Sequence, residues 1–144
     1  MTTTKNFVTG FALLVCMLTA CLCFADSGVP NMLGKWTVKS EAAFMSKGKT
    51  PGTWTHHTQP ASPLVAEAVF TKQEGRLLYG TFTSAKATEQ FIAVIGLDNK
   101  TIYYADQDGF MDARLVDNDT LQVVYRHVSS SDSVVALGVW KRKK

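Results

Sequence analysis

The sequence predicts an all-β fold, an eight-stranded antiparallel up-and-down β-barrel, and three observations carry that expectation. Between Leu64 and Trp140, short apolar runs are broken by small turn signals: Glu74-Gly75, Asp98-Asn99-Lys100, Asp106-Gln107-Asp108-Gly109, Asp117-Asn118-Asp119 and Ser129-Ser130-Ser131-Asp132. These recur about every ten residues, the spacing of antiparallel strands joined by hairpins. Several runs alternate apolar and polar residues, the period of a half-buried strand. No window between Asp26 and Lys144 keeps apolar residues at helical spacing without meeting a glycine or a turn cluster. Eight strands in an open sheet would leave two unpaired edges, and closure removes both. Such a barrel encloses an interior just wide enough for side chains or one small ligand.

The elements follow in order. Met1 to Ala25 reads as an export signal, with Lys5 near the start and an apolar core from Phe11 to about Phe24. That core, ~14 residues, is short of the ~20 a membrane span needs. Two endings compete. Cys23-Phe24-Ala25 places small residues where ordinary signal peptidase reads, whereas Leu18-Thr19-Ala20-Cys21 resembles a bacterial lipobox with Cys21 as the lipidated residue. Cleavage after Ala25 is favoured, because Leu22, Cys23 and Phe24 continue the apolar run where a lipoprotein usually turns polar. In either case the expected address is outside the cytoplasm, in the periplasm or secreted, with lipid anchoring to a bacterial envelope as the alternative.

Residues 26–31 form a linker with Ser27, Gly28 and Pro30, and the barrel domain is expected from residue 32 to 144. The first strand candidate is Met32 to Phe44. Its Trp36, Val38 and Ser40 share one face, and Lys35, Thr37 and Lys39 the other. Met45 to Pro63 is the longest irregular stretch, with three of the four prolines. A loop of that length is usually functional or disordered, and Trp54 within it is read as an aromatic lid over a cavity mouth. Leu64, Ala66, Ala68 and Phe70 share one face of a second strand. Strands are then expected over 76–84, 90–97, 101–106, 110–116, 120–128 and 133–141.

Composition excludes several functions. Fourteen basic and twelve acidic residues follow Ala25, a net +2, and Lys141-Arg142-Lys143-Lys144 supplies more than that excess. A basic tail is not the basic face that a nucleic-acid binder needs. Cys16, Cys21 and Cys23 all precede Asp26, so the remaining ~119 residues can form neither a disulfide scaffold nor a thiolate metal site and must be held together by apolar burial.

Gly34-Lys35-Trp36 at the head of the meander has the Gly-x-Trp form. It resembles the start of the calycin superfamily, which comprises lipocalins, fatty-acid-binding proteins and avidins. The resemblance implies a barrel closed at one end by this tryptophan against a basic residue of the last strand, here Lys141 or Arg142. Gly80-Thr81-Phe82-Thr83-Ser84-Ala85 is similar to the second hairpin of avidins, with Phe82 standing where that family has a ligand-contacting tyrosine. The later strands supply only Trp140, so the resemblance implies the architecture rather than biotin binding.

Candidate chemistry is sparse. His56 and His57 are adjacent on an extended chain and point to opposite sides, so with His127 they make a poor zinc set. Asp106-Gln107-Asp108-Gly109 echoes a calcium loop, but Phe110 at the fifth position donates no oxygen and Asp117 stands where the twelfth-position glutamate belongs. No Gly-x-Ser-x-Gly, His-Glu-x-x-His or phosphate-cradling loop is present. Neither cofactor nor metal is expected. Calycin-like barrels occasionally host an enzyme, and no motif supports one here.

What remains is aromatic. Tyr79, Phe82, Tyr103, Tyr104, Phe110 and Tyr125 are spread through the meander, and small residues at Ala66, Ala68, Gly80, Ala93, Gly96, Ala105, Ala113, Ala136 and Gly138 would leave room inside. The leading expectation is an exported non-enzymatic barrel that holds an apolar or aromatic small molecule, with Trp36, Trp54, Phe82 and Tyr104 as contacts. The alternative is a filled barrel whose loops or outer face bind another envelope protein, as an inhibitor or an assembly subunit.

Overall fold

The computed structural model describes residues 28–58 and 64–144, with side chains through residue 56 in the first span. The signal segment and Cys21 lie outside the described residues. Nine antiparallel strands form one closed sheet: β1 Gly34–Lys47, β2 Trp54–Thr58, β3 Leu64–Glu74, β4 Leu77–Thr83, β5 Thr88–Ile95, β6 Thr101–Ala105, β7 Gly109–Asp117, β8 Thr120–Val128 and β9 Asp132–Arg142. The order is β2-β1-β3-β4-β5-β6-β7-β8-β9, and β1 closes on β9. The body is an eight-stranded antiparallel barrel with one extra strand.

The extra strand corrects the expectation of a long lid loop. β1 continues through Lys47, and β2 pairs back on it from Lys47 opposite Trp54 to Ala43 opposite Thr58. Among the described residues of that stretch only 48–53 turn, held by the Gly48 amide on the Thr53 carbonyl and the Thr53 hydroxyl on the Thr50 carbonyl; residues 59–63 lie outside the described residues. β3 takes over beside the first half of β1, from Ser40 opposite Leu64 to Gly34 opposite Phe70. β2 and β3 thus share one track along β1.

Closure runs the length of β1, from Trp36 opposite Arg142 to Ser46 opposite Asp132. Six of the expected strands, β4 to β9, sit within about two residues of their predicted limits, because each hairpin is specified locally. Gly75 takes φ 58° between β3 and β4, and Asn99 takes φ 58° between β5 and β6; both are conformations that glycine and asparagine tolerate. Asp98 accepts the Lys100 and Thr101 amides and the Thr101 hydroxyl, so those bonds hold its carboxyl down at about 2. Asp117 accepts the Asp119 amide in the same manner. Classical alternation is broken by a bulge between Phe70 and Lys72 and another between Leu115 and Asp117.

Period two sorts each strand into an inner and an outer row. β5 buries Phe91, Ala93 and Ile95, and β9 buries Ala136 and Trp140. The outer rows carry charge pairs such as Lys143 and Lys35 on Glu67 and Arg126 on Asp112. They also carry exposed Val135, Leu137, Ile92 and Tyr103.

Candidate functional site in the barrel mouth

The two ends of the barrel differ, and the inner row of each strand records it. On β1, Trp36 and Val38 are buried whereas Ser40, Ala42 and Phe44 are half-exposed. On β8, Leu121 and Val123 are buried whereas Tyr125 and His127 are half-exposed. Leu78 and Gly80 give way to Phe82 on β4, and Ile95, Ala93 and Phe91 to Glu89 on β5. One end is sealed; at the other, inward-pointing side chains still meet solvent.

The sealed end is built around Trp36, which has no exposure. Gly34 precedes it with φ 113°, a region closed to side chains with a Cβ. That backbone bend lets residues 29–33 fold under the barrel. The Trp36 indole N–H donates to the Met32 carbonyl at 3.1 Å, and Met32 is itself fully buried. Gln73 clamps the same segment, accepting the Met32 amide and donating to the Pro30 carbonyl. Arg142, rather than Lys141, covers Trp36, with its guanidinium 4.4 Å from the ring centroid. The fork donates to the carbonyls of Leu33, Asn31 and Asn118 and to the Asp119 carboxylate.

Above this seal, six rings interlock. Phe70 meets Trp36 at 6.1 Å, Phe91 at 5.2 Å and Trp140 at 6.3 Å. Tyr104 lies 4.5 Å from Phe91 and 6.3 Å from Trp140, and Phe82 lies 6.2 Å from Trp140. The small inner residues are the counterpart of these rings. A Cβ on Gly80 would strike the Phe91 ring and the Val69 carbonyl. Ala66, Ala68, Ala93, Ala113 and Ala136 are buried in the inner rows. The expected hollowing by small residues is therefore corrected in this half, where the rings occupy the space. Gly96 lies in the β5–β6 turn, and Ala105, opposite the exposed Ile92, faces outward.

The mouth begins where Phe82, Tyr104 and Trp140 end. Its wall carries Ser40, Ala42, Phe44, Val134, Tyr125, His127 and Glu89. Hydrogen bonds tie the polar part together. The Tyr104 hydroxyl donates to Asp106 at 3.1 Å, and Asp106 also accepts the Gly109 and Asp108 amides. The Tyr125 hydroxyl donates to Asp108 at 3.3 Å. Burial, then the nearby aspartates, push both phenols well above the ordinary tyrosine range. His127 bridges two turns, with Nε2 2.8 Å from Asp132 and Nδ1 3.3 Å from Asp108. Its bond to Asp132 raises its pKa from the usual 6.5. Asp132 is lowered, chiefly by the Ser129 hydroxyl and then by His127. Burial raises the Glu89 carboxyl, and Asp108 and Asp106 push in the same direction. Among the described residues no group of His, Cys, Asp or Glu could hold a metal ion.

The structure parts the four contacts chosen from sequence. Tyr104 and Phe82 meet at the floor of the mouth around Trp140. Trp36 lies in the seal at the far end, with its whole surface covered. Trp54 begins β2 opposite Lys47 of the outer row of β1 and is 42% exposed. Trp140, Tyr125, His127 and Glu89 were not chosen. Trp140 could have been found from the alternation of β9, where it shares a face with Ala136 and Gly138. The polar ones had no signal, because three different hairpins bring them together.

No family model and no curated protein matches the sequence. Among solved structures, one similar chain is a redesigned β-barrel, with a TM-score of 0.50 and 11% identity, covering 85% of this chain and 98% of that one. Another is the S-type phycobiliprotein lyase CPES from Guillardia theta, with a TM-score of 0.32 and 9% identity, covering 78% of this chain and 89% of that one. What the redesigned barrel shares with this chain is the fold, a closed antiparallel β-barrel.

Proposed function

We propose that this protein is an exported, non-enzymatic, calycin-like barrel that holds an apolar or aromatic small molecule in its open mouth. One observation carries the reading: inner rows that are buried at the sealed end stay half-exposed at the other, over an aromatic floor. A flat molecule resting over Phe82, with Phe44 and Tyr125 at its edges, would cover apolar surface that is wet in the free protein, above the buried Tyr104 and Trp140. Burial of that surface supplies affinity, and the polar wall orients the ligand. Depth is limited, because the rings fill the lower half. The ligand therefore sits in the upper half, with one end towards solvent.

Tryptophan fluorescence tests this. Trp140 lies at the floor, Trp36 in the seal and Trp54 outside, so only Trp140 reports on the mouth. Titration with apolar aromatic probes quenches or blue-shifts the emission, Trp140→Phe removes the response, and Trp54→Phe keeps it. An unchanged emission with every probe refutes the reading.

A second reading, an envelope protein–protein interaction module, rests on the outer face. An open groove of about 760 Å³ crosses β1, β9, β8 and β7, with Val124, Leu137 and Val139 between Lys39, Glu41, Asp112 and Arg114. Its test is capture of an envelope protein by the native barrel that is lost in Leu137→Asp.

A further inference from the structure

We infer that the ligand of the mouth is an organic cation, a flat apolar body bearing a protonated amino group, and that Glu89 is its counter-ion. This rests on the binding reading above and adds the charge of the ligand to it.

Glu89 faces inward on β5, opposite Phe82 on β4 and two residues before Phe91. Its side chain thus stands at the edge of the aromatic floor. The other polar groups of the mouth have partners. Asp106 holds Tyr104 and the turn amides, Asp108 holds Tyr125 and His127, and Asp132 holds His127 and Ser129. Among the described residues, no hydrogen bond or ion pair reaches Glu89; only the longer-range charges of Asp108, Asp106 and His127 act on it. Its carboxyl is partly withdrawn from water on the inner wall, which raises its pKa, and a bound ammonium would offset that desolvation.

The surroundings select the sign of the ligand. Glu89, Asp106, Asp108 and Asp132 put four carboxylates at the mouth, against His127. Lys86 stands on the β4–β5 turn, Lys49 on the β1–β2 turn and Lys47 on the outer row of β1, all solvent-exposed. None of them faces Glu89 from the inner wall. A carboxylate-bearing ligand would be repelled by this field. An ammonium would be drawn in, and the partly exposed ring of Phe82, opposite Glu89, would favour the cation further.

Three probes of one shape separate the outcomes: 9-(aminomethyl)anthracene, 9-anthracenemethanol and anthracene-9-carboxylate, titrated into the full chain at neutral pH. The expected result is that the amine binds at least ~tenfold more tightly than the carboxylate. In Glu89→Gln that preference shrinks to about threefold or less, while Glu74→Gln, on the outside at the other end of β3, retains it. Equal affinities, or preference for the carboxylate, overturn the inference and leave the binding reading standing. A preference that survives in Glu89→Gln overturns the assignment to Glu89. If none of the three binds, both the inference and the reading beneath it fall.

Discussion

Removing the guanidinium of Arg142 should unseal the barrel without touching the mouth. The side chain covers Trp36 and is only 20% exposed, so its cation sits over the indole largely out of water. A desolvated cation–π contact of this kind contributes about 1–2 kcal/mol. Its bonds to the Leu33, Asn31 and Asn118 carbonyls lie near the surface, where water takes over, so they add about 1–2 kcal/mol together. Arg142→Ala is therefore expected to cost about 3 kcal/mol, a large share of the ~5–15 kcal/mol that holds a domain together. Arg142→Lys keeps a charge near the ring but loses the fork, and should cost about half as much. For a domain of this size the alanine variant should melt roughly 12 °C lower. Urea unfolding followed by circular dichroism measures the cost. Tryptophan emission reports the seal, shifting to the red as Trp36 becomes wet. A melting temperature within about 2 °C of the parent, with unchanged emission, would refute the role given to Arg142.

Other expectations follow from the same geometry. Gly80→Ala should destabilise by about 3 kcal/mol or more, because its Cβ meets a carbonyl as well as the Phe91 ring; a loss under about 1 kcal/mol in urea would show that the ring moves freely. His127 has a folded-state pKa above its unfolded value, so its contribution to stability is complete below about pH 6.5 and fades as pH rises through the raised value. Asp132 runs the other way, contributing above about pH 3.8 and losing that contribution as pH falls through its lowered value. Urea midpoints should thus peak between these limits, and His127→Gln should flatten the alkaline side; a midpoint that climbs from pH 6 to 8 contradicts the bridge. The Asp98 carboxyl should titrate near 2 by carbon NMR, and a midpoint at the ordinary 3.8 would mean that its three turn bonds are absent in solution.

Local chemistry made most of the strands readable. Asp98, Asp106, Asp117 and Ser129 each close a hairpin with bonds that span no more than three residues, so the turn and its cause lie together in the chain. β2 was hidden for the opposite reason. Pro51 and Gly52 mark a turn, but Trp54-Thr55-His56-His57-Thr58 becomes a strand only because β1 runs far enough to offer Lys47 and Ala43 as partners. The trailing half of β1 has no alternation strong enough to announce that length. The Gly-x-Trp form pointed to a sealed end and to a basic partner, and packing selected Arg142 over Lys141, since in the closed register Arg142 lies opposite Trp36.

The order of apolar and polar residues along the chain determined by itself that this is an all-β protein, and where the hairpins from β3 to β9 turn, because period two and turn chemistry act between near neighbours. Tertiary structure alone decided which end is open. Fullness of the barrel depends on rings from distant strands meeting over small residues, Phe91 over Gly80 and Trp140 beside Phe82 and Tyr104. The polar wall depends on β5, β6, β8 and β9 delivering Glu89, Tyr104, Tyr125, His127 and Asp132 to one rim. Those meetings follow from closure, which pairs residues as much as 106 positions apart, Trp36 with Arg142, and no local pattern encodes contacts at that range.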